Sequence, residues 1–257
     1  MIKNKNVIKN SLGFDSNLFV YQDKTMFNYS VDTIMLGNFI SLNKKIKNSL
    51  EIGTNNAALA IFVAERDSNL LIDAIDIQQK AIELAKENVI LNKKEAQINL
   101  ITQDFNDFWK EHTKLQKRKY DLIFTNPPYY KLDTKNVKKQ ISEELKKAIY
   151  EISINLEQII LGSSKIIQQK GILSMVLPVE RLVDVIELLR KYKFEPKKIQ
   201  FIFARINTKP SFVLIESVFA ATWGTHYLPN LYLHPQNKKL HIYRKEIKKL
   251  YKPIKRK

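Results

Sequence analysis

Seven short apolar runs rich in β-forming residues punctuate the chain, and most are separated by stretches with helical spacing. The runs are Leu50 to Ile52, Leu70 to Asp76, Ile98 to Thr102, Tyr120 to Thr125, Gly171 to Leu177, Ile199 to Arg205 and Phe212 to Ala220. Apolar residues at helical intervals occupy Ala57 to Arg66 and Gln78 to Asn92, where Ala81, Leu84, Ala85 and Val89 share one face. Glu143 to Gln169 reads as a long helical stretch with a break at Gly162, and Pro178 opens a further helix through Lys191. Strands alternating with helices predict an α/β fold, a mostly parallel seven-stranded sheet covered on both faces. The last two runs have no helix between them. Asn207-Thr208-Lys209-Pro210-Ser211 joins them as a turn-forming segment, which predicts an antiparallel C-terminal hairpin.

No internal repeat, Gly/Ser linker or proline-rich tract divides the sequence. The expectation is a single domain over residues 1–257, with a lead-in at 1–48, a catalytic core at 49–222 and a basic tail at 223–257. In open α/β sheets ligands bind at the carboxyl ends of strands, near the switch point, so the strand ends are where chemistry is sought.

The first strand runs into Glu51-Ile52-Gly53-Thr54-Asn55-Asn56-Ala57. Gly53 lets the backbone approach a ligand closely. Alone this is weak, since a plain strand-to-helix turn looks the same. The dinucleotide fingerprint G-x-G-x-x-G is absent, because Asn55 and Asn56 replace its later glycines, and this argues against a pyrophosphate cofactor. Asp76 ends the second strand, 23 residues beyond Gly53, placed to accept hydrogen bonds from both ribose hydroxyls of a nucleoside, with Ile77 beside it. Asp104 follows the third run, and Phe105 follows it. Asp104 is either an acceptor for an adenine amino group, with Phe105 packed on the ring, or the N-cap of a helix.

The fourth run delivers Asn126-Pro127-Pro128-Tyr129 to the same edge. Chance gives such a tetrapeptide on the order of a few times in a thousand in a chain this long, with Pro near 5% of residues. Its chemistry suits methylation of an amino or amide nitrogen. Such a nitrogen is a poor nucleophile, its lone pair delocalised. The Asn126 side-chain oxygen and the Pro127 carbonyl would each accept one of its hydrogens, favouring a pyramidal nitrogen. Pro128 fixes the backbone, and Tyr129 offers a face for stacking the target base. No metal is called for, and the four His form no constellation with acids.

In this order, the acid-x-Gly turn, the strand-end Asp and N-P-P-Y resemble the class I amino-methyltransferases. More narrowly, nearly the whole chain resembles the bacterial tRNA1(Val) (adenine(37)-N6)-methyltransferase family. The resemblance implies a Rossmann-like methyltransferase fold and S-adenosyl-L-methionine as methyl donor. It also implies methylation of the N6 amino group of adenosine 37 in the anticodon stem-loop of a tRNA. Phe27-Asn28-Tyr29-Ser30-Val31-Asp32-Thr33-Ile34-Met35-Leu36 resembles the family's segment over the methionine moiety, with Asp32 and Thr33 its contacts. Lys209 to Glu216 resembles the family's final strand pair. The chain departs from the family in lacking the first motif's later glycines. It also carries Ala148-Ile149-Tyr150-Glu151 where relatives tend to carry Arg-His.

Composition sharpens the acceptor. The chain has 43 Lys plus Arg against 26 Asp plus Glu, a net charge of +17. Such a field attracts phosphate backbones, although AT-rich coding would also enrich Lys, Asn and Ile. Lys238 to Lys257 holds ten basic residues and one acid, Glu246. Around Tyr243 to Tyr251 a helix is expected, docked by Ile247, Leu250 and Tyr251, with its lysines turned to RNA. Lys131 to Lys139 is either a phosphate-gripping lid or a solvated loop; Arg205 and Lys209 are candidate phosphate contacts. Trp109 and Trp223 are expected to pack. With 44% hydrophobic residues, no cysteine and no long apolar run, a soluble cytoplasmic monomer is expected, without disulfide, thiolate metal site or membrane partner. The competing acceptors are a glutamine amide of a release factor, which presents the same two hydrogens, and an adenine of ribosomal RNA. Only about fifty residues precede Gly53, against the substantial helical domain usual in glutamine methyltransferases.

Overall fold

A computed structural model describes residues 6–14, 16–26, 28–127 and 154–256. Along the chain run β1 (Val7–Ser11), β2 (Phe19–Asp23), α1 (Val31–Phe39), β3 (Asn48–Ile52), α2 (Ala58–Arg66), β4 (Leu71–Asp76), α3 (Gln79–Leu91), β5 (Ile98–Thr102), α4 (Phe105–Lys114) and β6 (Tyr120–Thr125). Then come α5 (Leu156–Ile166), β7 (Ile167–Pro178), a 3-10 turn (Val179–Arg181), α6 (Leu182–Lys191), β8 (Phe194–Phe203), β9 (Pro210–Phe219), β10 (His226–Tyr227), β11 (Leu231–Tyr232) and α7 (Lys245–Leu250).

The seven anticipated strands form the sheet in the order β8-β9-β7-β6-β3-β4-β5. β9 runs antiparallel to both β7 and β8, while β3, β4, β5, β6 and β7 pair in parallel. Two short strands the sequence did not announce, β10 and β11, extend the β8 edge in parallel. Period-two alternation divides the core between the faces. Leu122 and Phe124 join Ile72 and Ala74 on the side of α1, α2 and α3. Ile123 joins Leu50, Ile75 and Met175 on the side of α4, α5 and α6. Central β6 is buried at all six positions, its Asp121 accepting from the Lys47 and Asn48 amides.

The β1–β2 hairpin and α1 were also not read from the sequence, and α4 only as the helix that Asp104 would cap. The hairpin is pinned to α3 by Asn88, whose side chain accepts from the Tyr21 amide (2.6 Å) and donates to its carbonyl (3.0 Å). The expected helix through Gln169 ends instead at Ile166, where β7 takes over; residues 143–153 lie outside the described residues. Gly162 does not break α5. It allows close packing on α4: an added Cβ would meet Trp109 Cδ1 at 2.5 Å and Phe105 Cε1 at 2.6 Å. Pro178 closes β7 rather than opening a long helix, the 3-10 turn intervening before α6. Trp109 packs as expected, but Trp223 is 87% exposed. Among the described residues no helix is long and apolar enough to cross a membrane.

Candidate active site

Strand order reverses between β3 and β6, and the loops leaving their carboxyl ends flank a cavity of about 330 Å³. Its walls take in Asp32, Thr33, Glu51, Gly53, Asn55, Asp76, Ile77, Asp104, Phe105 and Asn126, the residues expected at the cofactor. Pro127 lines it too. Pro128, Tyr129 and Lys131 lie outside the described residues, as do the 131–139 segment and Ala148 to Glu151.

The β3 loop is shaped by left-handed backbone. Gly53 (φ 73°), Asn55 (φ 49°) and Ala57 (φ 62°) turn the chain sharply into α2. The Gly53 and Thr54 amides both donate to Ile75 O at 2.9 Å, which ties the turn to the end of β4. A Cβ on Gly53 would find no heavy atom within 4 Å, so this bare backbone faces open space beside the cavity.

Asp76 is 7% exposed. Its Oδ2 accepts from the Asn55 amide at 2.8 Å and its Oδ1 from the Gln78 amide at 2.9 Å. Burial pushes its pKa up, while the amides of Gln78, Asn55 and Ile77 counter by favouring the carboxylate. Burial also pushes Glu51 up, to about 8, with nearby Asp76 adding to the rise and the Thr54 hydroxyl, which donates to Oε2 at 2.5 Å, opposing it. Glu51 is thus mostly protonated at neutral pH. The folded pKa exceeds the unfolded value of 4.5, so its contribution to stability is complete below 4.5 and is lost as pH rises to about 8. We expect Glu51→Gln to flatten that part of the ligand-free protein's stability profile, measured by urea unfolding at a series of pH values.

Asp104 caps α4, its Oδ1 accepting from the Asn106 amide at 2.6 Å. The two sequence readings are therefore not exclusive, since the capping side chain also lines the cavity. Phe105 is buried against Gly162 while bordering the cavity.

At the β6 end, Thr125 Oγ1 donates to Ile52 O at 2.9 Å and holds the two loops together. The Asn126 Nδ2 donates to Thr33 Oγ1 at 3.1 Å and Asp32 Oδ2 at 3.4 Å. Asp32, 2% exposed, accepts in turn from the Thr33 amide (2.9 Å) and the Ser30 hydroxyl. Anchoring Nδ2 to α1 makes Oδ1 the acceptor end of the amide. Sequence reasoning assigned Asp32 and Thr33 to the cofactor and missed that they orient Asn126.

Tyr29, Gln78 and Phe212 also line the cavity and were not singled out. The Gln78 Oε1 is buried without a hydrogen-bond partner, an unmet acceptor at the ligand face. Arg205 and Lys209 sit in the β8–β9 connection, outside the lining. Arg205 donates to Leu240 O at 3.2 Å, and exposed Lys209 lies 3.5 Å from Glu180. Among the described residues no His, Asp and Glu cluster suits a metal ion.

The model of the Methyltransferase small domain family matches residues 31–191. Similar proteins include the tRNA1(Val) (adenine(37)-N6)-methyltransferase of Flavobacterium psychrophilum, 28% identical over 70% of this chain and 74% of that one. The protein of the same name from Escherichia coli O157:H7 is 29% identical over 62% of each chain. Among solved structures, a predicted O-methyltransferase from Agrobacterium tumefaciens aligns with a TM-score of 0.67 at 16% identity, over 88% of this chain and 98% of that one. The M. jannaschii tRNA m1G37 methyltransferase aligns at 0.58 and 15% identity, over 86% and 56%. At these identities the solved structures speak to the fold, which is that of methyltransferases.

Proposed function

The chain belongs to the methyltransferase small domain family, and from that premise we propose that it methylates N6 of adenosine in tRNA, at position 37 of the anticodon loop, with S-adenosylmethionine as donor. The observation that carries the reading is the Asn126 amide, held by its nitrogen on α1 in the wall of a nucleoside-sized cavity.

The residues fit this donor. The cavity matches a nucleoside in scale, and bare Gly53 permits close approach. Gln78 adds an unmet acceptor. Asp76 would take the ribose hydroxyls, Ile77 and Phe105 would flank the adenine, and Asp104 would meet its amino group. Asp32 and Thr33 would border the methionine end. The donor supplies a methyl group already activated on a sulfonium, so the protein's task is alignment and acceptance of the amino hydrogens. Asn126 Oδ1 and the Pro127 carbonyl accept those hydrogens. Pro128 and Tyr129, outside the described residues, complete the motif as backbone lock and stacking face, with Lys131 beside them.

An RNA acceptor is supported by the relatives' names and by charge. Residues 196–245 hold eight Lys or Arg and a single acid, Glu216, which is buried. This span builds the β8 edge and the loop 235–245 beside Arg205, on the flank where Phe212 borders the cavity. A span so poor in acids suits phosphates, and Arg205 and Lys209, the latter beside exposed Glu180, would meet them. An anticodon-loop base is already unpaired, so its extrusion costs less than from a duplex. We place the enzyme in the cytoplasm, acting as a monomer.

Purified protein with radiolabelled donor, offered a tRNA transcript and a release factor side by side, tests the acceptor. Label is expected in the tRNA alone, with a tRNA KM that climbs steeply between 50 and 200 mM salt, as for about six or more phosphate contacts. Label in the release factor would overturn the RNA reading in favour of the glutamine amide.

A further inference from the structure

The final residues of the chain are built into the scaffold behind the cavity. Arg66, at the end of α2, donates through Nη1 to Gly37 O at 2.6 Å and Ile40 O at 2.7 Å, and through Nε to Ile254 O at 2.9 Å. Lys198 of β8 donates to Phe39 O at 2.6 Å and Ser41 Oγ at 2.7 Å, and lies 3.3 Å from Glu216. Glu216 also accepts from the Ser41 amide at 2.8 Å. A helix leaves its last carbonyls without intrahelical partners, and cations there also suit its dipole. Two largely buried cations therefore hold the C-terminal end of α1.

The tail completes this hold. Arg256 pairs with Asp67, their side chains 14% and 4% exposed, and its amide donates to Arg66 O at 2.8 Å. Lys255 pairs with Glu65. Asn38 of α1 donates to Leu250 O and accepts from the Ile254 amide at 3.0 Å. Gly37 brings α1 tight against α2, since a Cβ there would stand 2.6 Å from Phe62. At the other end of α1, about 13 Å away over nine residues, Asp32 and Thr33 receive the Asn126 amide nitrogen.

We propose that Arg66 and the segment 254–256 form a positioning strap: by fixing the C-terminal end of α1 they set Asp32 and Thr33, and through these the orientation of Asn126. Lys255 and Arg256, counted from sequence in the basic tail, face the carboxylates of Glu65 and Asp67. The strap rests on the reading that Asn126 receives the amino group. A rigid helix carries a displacement at one end to the other, and a shift of about 1 Å at the reacting centre costs up to about a hundredfold in rate.

Charge exchange in the full-length protein tests this. Arg256→Asp sets a carboxylate against Asp67 and opens the strap. The expected result is a kcat at least about tenfold lower, with the KM for tRNA within about twofold. Adding Asp67→Arg rebuilds the pair in reverse and restores kcat. Affinity for S-adenosylhomocysteine without tRNA follows the same fall and recovery, because Asp32 and Thr33 border the cavity. If Arg256→Asp does not fold, Arg66→Lys, which keeps the charge but loses the fork, is expected to show the same split. A raised KM for tRNA with unchanged kcat, no change at all, or failure of the exchange to restore kcat overturns the strap. A wild-type protein that methylates no tRNA defeats the functional reading instead and leaves the strap to be judged by S-adenosylhomocysteine affinity.

Discussion

Asn126→Ala is expected to lower methyl transfer at least about a hundredfold at saturating donor and tRNA, the scale seen when one oriented polar group is removed from a transition state. The loss should fall on kcat, because Oδ1 acts on the amino group as the nitrogen becomes pyramidal, while tRNA is held by surfaces elsewhere. Asn126→Asp keeps an acceptor of the same shape, yet is expected to fail almost as badly. Its second oxygen would face Asp32 where Nδ2 now donates, so the geometry of acceptance is lost although the acceptor remains. Single-turnover kinetics on the two variants checks both claims. Full activity in Asn126→Asp would show that orientation by α1 does not matter.

Asp76→Ala is expected to weaken donor binding on the order of a hundredfold, about 3 kcal/mol, as loss of two hydrogen bonds to a buried carboxylate implies. Calorimetry with S-adenosylhomocysteine measures it directly. Part of the loss comes through the loops, since Asp76 also holds the Asn55 and Gln78 amides. At donor concentrations far above the new Kd, activity should return most of the way. That recovery separates Asp76 from Asn126, whose defect no donor concentration relieves.

Much of this site was legible because its chemistry sits at strand ends, and half-buried or buried strands announce themselves by period and β-branched content. Gly53, Asp76, Asp104 and Asn126 were found in this way, and the structure gathers them around one cavity. α1 was not legible as a helix. Seven of its nine residues are buried, Asp32 and Thr33 included, so no polar face marks a helical period. α4 was read only through its cap, as one of two alternatives for Asp104, although Phe105, Phe108 and His112 stand at intervals of three and four. The β7 boundary was hidden because Ile167 to Lys170 continues a helical-looking pattern before Lys170 turns to φ 63°. The strap was beyond any local pattern: Lys255 and Glu65, which pair as Arg256 and Asp67 do, stand 190 residues apart in the chain. For the same reason the basic tail read as uniform, although Lys255 and Arg256 are paired with Glu65 and Asp67.

The central claim is methylation of an adenine amino group in tRNA by the Asn126 loop. Nucleoside mass spectrometry of total tRNA from cells lacking the gene tests it most directly. The expected result is loss of N6-methyladenosine from tRNA, restored by the wild-type gene and not by Asn126→Ala; an undiminished N6-methyladenosine level in the deletion strain would contradict the account.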